Sequence, residues 1–171
     1  MNEYTFRSLL DNHNIPASQK AFGYIGREYL SYGDVKLEIN NVKTYLVQAG
    51  IGKGDKVALL SENQPNWGIV YLAVTSFGAV IVPILPDFGS KQIANILDHS
   101  EAKMIFLSAK QKLKIDEIAL NFPVYSLETL SLIKGSIDES ISYTEDIYDI
   151  AEEDVAAILY TSGTTGNSKG V

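Results

Sequence analysis

A chain of 171 residues, 46% hydrophobic and 20% charged, has the length of about one domain and the composition of an ordinary globular core. It contains no cysteine, which excludes a disulfide framework, a thiolate zinc site and a cysteine nucleophile, and which fits a reducing compartment. Its net charge of −7 excludes a basic face for a nucleic-acid backbone, since Lys110, Lys112 and Lys114 form the tightest basic group and a solvated helix face or loop explains them.

In chain order, Thr5 to Asp11 reads as a short helix, followed by strands over Phe22 to Tyr24 and Glu28 to Leu30 around a turn at Gly26. Met1 to Leu10 mixes Glu3 and Arg7 into an amphipathic pattern without the apolar centre of a secretory signal, so a cytoplasmic location is expected, with peripheral membrane association of the full-length enzyme as the alternative. Ser31 with Asp34 three residues on has the form of a capping box. Val35, Ile39, Val42, Leu46 and Ala49 then mark one helical face, and Gly50 ends the helix.

The turn Gly52-Lys53-Gly54-Asp55 leads into a strand over Lys56 to Ser61, Pro65 opens a helix to Phe77, and Val80 to Ile84 is a strand. Between Trp67 and Leu85 lie nineteen residues without a charge, close to a membrane-spanning length. Thr75, Ser76, Gly78 and Pro83 interrupt that run, however, and its character changes from helical to β-rich, so a buried helix feeding a buried strand is expected instead.

Further on, the pattern predicts a helix over Ser90 to His99, a strand over Met104 to Leu107, a helix over Ala109 to Ala119 and a short strand at Val124-Tyr125. Residues 135–154 carry eight acids and no base, an acidic connector with a cation site as the minor alternative. Val155 to Tyr160 reads as a final buried strand. Alternation of strands and helices predicts an α/β fold, a largely parallel sheet with helices on both faces.

Several chemistries find no support. Gly50, Gly52 and Gly54 precede their strand and lack the dinucleotide-binding spacing, so they are turn glycines. His13 and His99 have no metal-ligand spacing around them, and the helix dipole explains His99 at a helix C-terminus. No Gly-x-Ser-x-Gly elbow occurs.

Residues 160–171, Tyr-Thr-Ser-Gly-Thr-Thr-Gly-Asn-Ser-Lys-Gly-Val, carry the strongest chemical signal. Closely spaced backbone N–H groups, several hydroxyls and one lysine suit a polyphosphate anion. A Walker loop is excluded, because the glycine it needs before the lysine is Ser168, and Gly170 follows Lys169. A plain polar tail is the bland alternative.

This segment resembles, at eleven of twelve positions, the signature loop of the adenylate-forming (AMP-binding) superfamily, which includes acyl-CoA synthetases, luciferases and peptide-synthetase adenylation domains. Ser168, where that family usually has proline, is the departure. The resemblance continues upstream through Leu30 to Asp34, Val57 to Asn63 and Trp67 to Pro83. Val82 to Pro86, the Gln92-Ile93 pair and Leu97 to Lys103 are most similar to the long-chain fatty acid–CoA ligase branch.

The resemblance implies the N-terminal subdomain of an AMP-forming acyl-CoA synthetase, ending within its phosphate-binding loop, with ATP, Mg²⁺ and coenzyme A as cofactors and a fatty acid as substrate. Lys169 would supply a point charge to the ATP phosphates. Thr161, Ser162, Thr164 and Thr165 would supply hydroxyl and backbone donors, and Gly163, Gly166 and Gly170 close backbone approach. The family's adenine, acyl and coenzyme A sites lie beyond this loop, in a C-terminal part that is the chain's implied partner, so the chain alone is expected to be inactive and to self-associate. A stand-alone nucleotide-binding or interaction module, and adenylation of amino or aryl acids, are the alternatives.

Overall fold

The computed structural model describes residues 4–10, 15–26, 28–145, 147–161 and 169–171, with the backbone alone considered for Lys169. Its centre is a five-stranded sheet in the order β4-β3-β5-β6-β7, formed by β3 (Lys56–Leu60), β4 (Val80–Ile84), β5 (Ala102–Leu107), β6 (Val124–Ser126) and β7 (Leu132–Lys134). β3 pairs in parallel with both β4 and β5, β5 pairs in parallel with β6, and only β7 is antiparallel.

Because successive side chains of a strand point to opposite faces, β3 feeds two cores. Val57 and Leu59 pack with α2 (Tyr32–Gln48) and α3 (Pro65–Phe77), whereas Ala58 and Leu60 pack with α4 (Ser90–Ser100). All four are fully buried. The two crossovers from β3 to β4 and from β4 to β5 therefore use opposite faces, which lets right-handed connections place β4 and β5 on either side of β3. The expected α/β architecture with helices on both faces is the one observed.

Local chemistry accounts for the helix ends. The Ser31 hydroxyl accepts from the Asp34 amide at 3.2 Å, and the Asp34 carboxylate accepts from the Ser31 amide at 2.8 Å, so two otherwise orphaned donors of α2 are satisfied reciprocally. Val35, Ile39, Val42 and Leu46 form the buried stripe. Gly50 closes the helix at φ +71°, a backbone conformation that costs glycine little. Pro65 occupies the first turn of α3, and Gly78 at φ +98° ends it. The uncharged run is thus a buried helix followed by a buried strand, and no helix among the described residues is long and apolar enough to cross a membrane.

N-terminal to α2, β1 (Lys20–Gly23) and β2 (Tyr29–Ser31) form the expected antiparallel hairpin. The first helix, α1 (Phe6–Leu10), lies against α3: Phe6 meets Tyr71 edge-on at 5.7 Å, and Arg7 donates to the carbonyls of Ser76 and Tyr148. Asp11 lies outside the described residues, as does His13.

Three expectations need correction. The helix over 109–119 is instead a 3-10 turn, Ala109–Gln111, and a short α5 (Lys112–Asp116). Only Gln111 and Ile115 are buried there, so no apolar stripe sustains a longer helix. The segment from Val155 to Tyr160 is not a buried strand: Val155 and Leu159 are 62% and 55% exposed. It meets the sheet through a single parallel bridge, Ile81 to Ala157. Finally β7, only three residues long, has no counterpart among the expected strands.

Residues 135–154 contain no helix or strand among those described. The Asp138 amide donates to the Gln48 carbonyl, and the rings of Tyr143 and Tyr148 stand 6.3 Å and 5.3 Å from that of Phe77. Lys53 holds the segment's far end, donating to the Asp149 carbonyl and pairing with Asp154 at 2.6 Å. The Asp154 carboxyl is held below the usual carboxylate range, chiefly by that Lys53 hydrogen bond.

Candidate functional site

The candidate site grows from the edge of β4. Ile81 donates its N–H to the Ala156 carbonyl and accepts from the Ile158 N–H, each at 3.0 Å. This bridge is parallel. Three residues further along each chain, Tyr160 therefore reaches the level of Ile84, the last residue of β4. The chain leaves the sheet at the carboxyl ends of the parallel strands, the end at which open α/β sheets bind ligands.

There it forms a hairpin of β8 (Tyr160–Thr161) and β9 (Lys169–Gly170), with Tyr160 opposite Gly170 and Thr161 opposite Lys169. Leu159 and Val171 exchange both backbone hydrogen bonds at 2.9 Å below them. The two ends of the candidate loop are thereby joined, and Lys169 stands at the foot of its returning arm. Ser162, Gly163, Thr164, Thr165 and Gly166 lie outside the described residues. Of the expected phosphate contacts, the structure brings Thr161, the Lys169 backbone and Gly170 together at the base.

A side chain at Gly170 would be crowded, and its neighbours would have to give by a few tenths of an ångström. A Cβ there would stand 3.1 Å from Ile158 Cγ2 and from Tyr160 Cζ. The Tyr160 ring covers this glycine from across the hairpin, an arrangement in which an aromatic ring supplies the packing that glycine lacks.

Tyr160 also has a partner that sequence reasoning missed. Its hydroxyl lies 2.7 Å from His99 Nδ1, and the two rings meet edge-on at 5.7 Å with an interplanar angle of 90°. The helix dipole is thus not the whole account of His99. Sixty-one residues separate the pair, and no local spacing signals such a contact. Tyr160 is 6% exposed, and burial pushes its hydroxyl above the ordinary tyrosine range, so the group stays protonated as a hydrogen-bonding O–H.

A second polar cluster marks the same end of the sheet, where β3 and β5 run out. Glu62 accepts from the Ser108 hydroxyl at 2.9 Å and from the Gln111 amide at 2.7 Å. Its own backbone amide, aided by those two donors and opposed by burial, holds its carboxyl below the usual range. The carboxylate is thereby engaged within the fold. Among the described residues no group of three His, Cys, Asp or Glu side chains could hold a metal ion.

Comparison with known proteins adds family-level evidence. The AMP-binding enzyme family matches residues 13–171. A fatty acyl-CoA synthetase A of Dictyostelium discoideum is 27% identical over 84% of this chain, which spans 24% of that protein. Tyrocidine synthase 3 of Brevibacillus parabrevis is 29% identical over 98% of the chain, here 2% of the relative. In fold, the chain superimposes on the anthranilate CoA ligase AuaEII, solved with anthranoyl-AMP, with a TM-score of 0.80 at 21% identity, covering 100% of this chain and 35% of that one. The chain therefore spans a third or less of the length of the curated relatives that it matches.

Proposed function

Because the chain belongs to the AMP-binding enzyme family, we propose that it is the N-terminal subdomain of an AMP-forming acyl-CoA ligase and that residues 161–170 hold the phosphates of ATP. The observation that carries this reading is the hairpin: the family's signature residues emerge at the carboxyl end of the parallel strands, with Thr161 and Lys169 paired at the base of the loop. In the proposed reaction a carboxylate oxygen attacks the α-phosphorus of ATP, pyrophosphate leaves, and the acyl-adenylate passes its acyl group to a thiol with release of AMP.

Within that reaction the loop's task is electrostatic. Lys169 offsets charge that builds on the departing pyrophosphate, while the hydroxyls and backbone amides of Thr161, Ser162, Thr164 and Thr165 donate to its oxygens. Gly163 and Gly166 let the backbone approach the anion closely. Magnesium would enter with the nucleotide phosphates, since among the described residues no group of three His, Cys, Asp or Glu side chains could hold it. Coenzyme A is the proposed thiol.

Long-chain fatty acids are the proposed substrates, in line with the likeness of Leu97 to Lys103 to that branch. The second reading is adenylation of an amino or aryl acid, favoured by the 29% identity to tyrocidine synthase 3. The proposed location is the cytoplasm, and residues 135–154 are the proposed connector to the loop. Exposed Val155, Leu159 and Leu85 support a further proposal, that the isolated chain self-associates through this edge. The test is thioester formation by the native polypeptide, isolated with antibody to this chain, across acetate, octanoate, palmitate, benzoate and a mixture of amino acids. Selective turnover of palmitate supports the reading. Turnover of amino or aryl acids alone overturns the substrate assignment.

A further inference from the structure

His99 stands in the last turn of α4, on the face of the sheet opposite α2 and α3, and its Nδ1 reaches the Tyr160 hydroxyl at 2.7 Å. Tyr160 in turn belongs to the apolar cluster formed by Ile84, Phe88, Ile93 and Leu97, and its ring lies against Gly170, the residue it faces across the hairpin. One hydrogen bond and one ring therefore connect the end of a long-range helix to both arms of the hairpin that carries the loop.

The connection matters because the hairpin is otherwise lightly attached. Among the described residues, the segment leading into it touches the central sheet's hydrogen-bond ladder only at Ile81. Leu159 is more than half exposed, so the side chains on that side contribute little anchorage. Tyr160 supplies the buried anchor, and its hydroxyl would be an orphan in the apolar cluster without His99. A hydroxyl both donates and accepts, so the bond can be made with either imidazole tautomer.

We propose that His99 is a positioning residue for the phosphate loop, acting through Tyr160. It fixes the azimuth of the Tyr160 ring, the ring fixes Gly170, and the base of the loop is thereby held in one arrangement before nucleotide arrives. The residue touches no reacting atom. The proposal rests on the reading of residues 161–170 as the phosphate site, but the link itself is measured without nucleotide.

The test is a double-mutant cycle on this chain with His99→Leu, Tyr160→Phe and both together, read by hydrogen exchange at the amides of Leu159 and Val171, which bond to each other. Each single variant should speed exchange at both amides about three- to tenfold, the scale of one hydrogen bond. The double variant should do no more than either alone. His99→Asn, whose amide lies close to the position of Nδ1, should restore slow exchange. Urea midpoints separate positioning from a structural role: they should move much less than the hairpin exchange. Additive effects, unchanged exchange in the single variants, or a loss of global stability equal to the exchange change would each overturn the proposal. A parallel titration with Mg·ATP keeps the two readings apart. Absence of nucleotide binding by the native polypeptide would sink the phosphate-site reading, while the exchange cycle would still decide whether His99 holds the hairpin.

Discussion

Ala157 stands opposite Ile81 in parallel register, and the two hydrogen bonds of Ile81 to the residues on either side of Ala157 are the rung that joins the loop-bearing segment to the sheet. By contrast β3 is paired along its whole length on both sides. The loop arm is therefore an appendage on a strong ladder.

Such an attachment should open before the sheet does. In native-state hydrogen exchange with added urea, the Ile158 amide should exchange through a local opening that costs far less than global unfolding. The Ile105 amide, paired to Pro123 within the sheet, should exchange only by global unfolding. Equal opening free energies for the two amides would contradict this.

Phe106 of β5 is fully buried and packs with its ring 5.2 Å from that of Tyr125, between β3 and β6 in the sheet. Phe106→Ala should cost about 3–5 kcal/mol, from lost transfer energy and the cavity left behind. A urea midpoint within experimental error of the unaltered chain would show that this core face is not packed as described.

Asp55 gives the stability a defined pH dependence. Burial raises its carboxyl pKa, but the Lys103 hydrogen bond at 2.7 Å, the Gly52 amide at 2.9 Å and the charges of Lys103 and Lys56 outweigh burial and lower it overall. Unfolded, the group titrates near the ordinary aspartate value of about 3.9. The unfolded chain thus takes up the proton first, so this contribution is present in full above about pH 4 and is lost as pH falls through the folded value. The difference in urea midpoint between the unaltered chain and Asp55→Asn should shrink from pH 7 to pH 3. A constant difference would contradict the assignment.

Removing the helix cap at Ser31 tests the local reading of α2. Ser31→Ala should destabilise the chain by about 1 kcal/mol, because the Asp34 amide loses its acceptor. Ser31→Thr should restore most of that loss. Equal destabilisation by both substitutions would place the cost elsewhere than in the cap.

Elements defined by short-range chemistry were legible from residue order: the Ser31–Asp34 cap, the stripe from Val35 to Leu46, and the Pro65 start and Phe77 end of α3. Failures came where tertiary contacts decide. Val155 to Tyr160 is apolar enough to read as a core strand, yet Val155 and Leu159 are more than half exposed and the segment joins the central sheet by a single bridge, at Ala157. The segment after Ala109 has helix-forming residues but too few buried ones to sustain the helix. β7 is too short for a periodicity to show, and its hairpin turn uses Leu130 at φ +49° where a glycine would have signalled it. The candidate loop was legible because its chemistry is contiguous in sequence. Its anchorage through His99 was not, because that contact exists only once α4 and β4 are packed on one another.

The central claim, that this chain carries the phosphate site of an AMP-forming ligase, is tested most directly by carboxylate-dependent exchange of labelled pyrophosphate into ATP. The measurement compares the native polypeptide with its Lys169→Ala variant at saturating acid. The account predicts exchange that requires a carboxylic acid and that falls about ten- to a hundredfold on loss of the lysine, the scale of a charge-assisted hydrogen bond of about 1.5–3 kcal/mol. Exchange that is absent with every acid, or undiminished in Lys169→Ala, would contradict it.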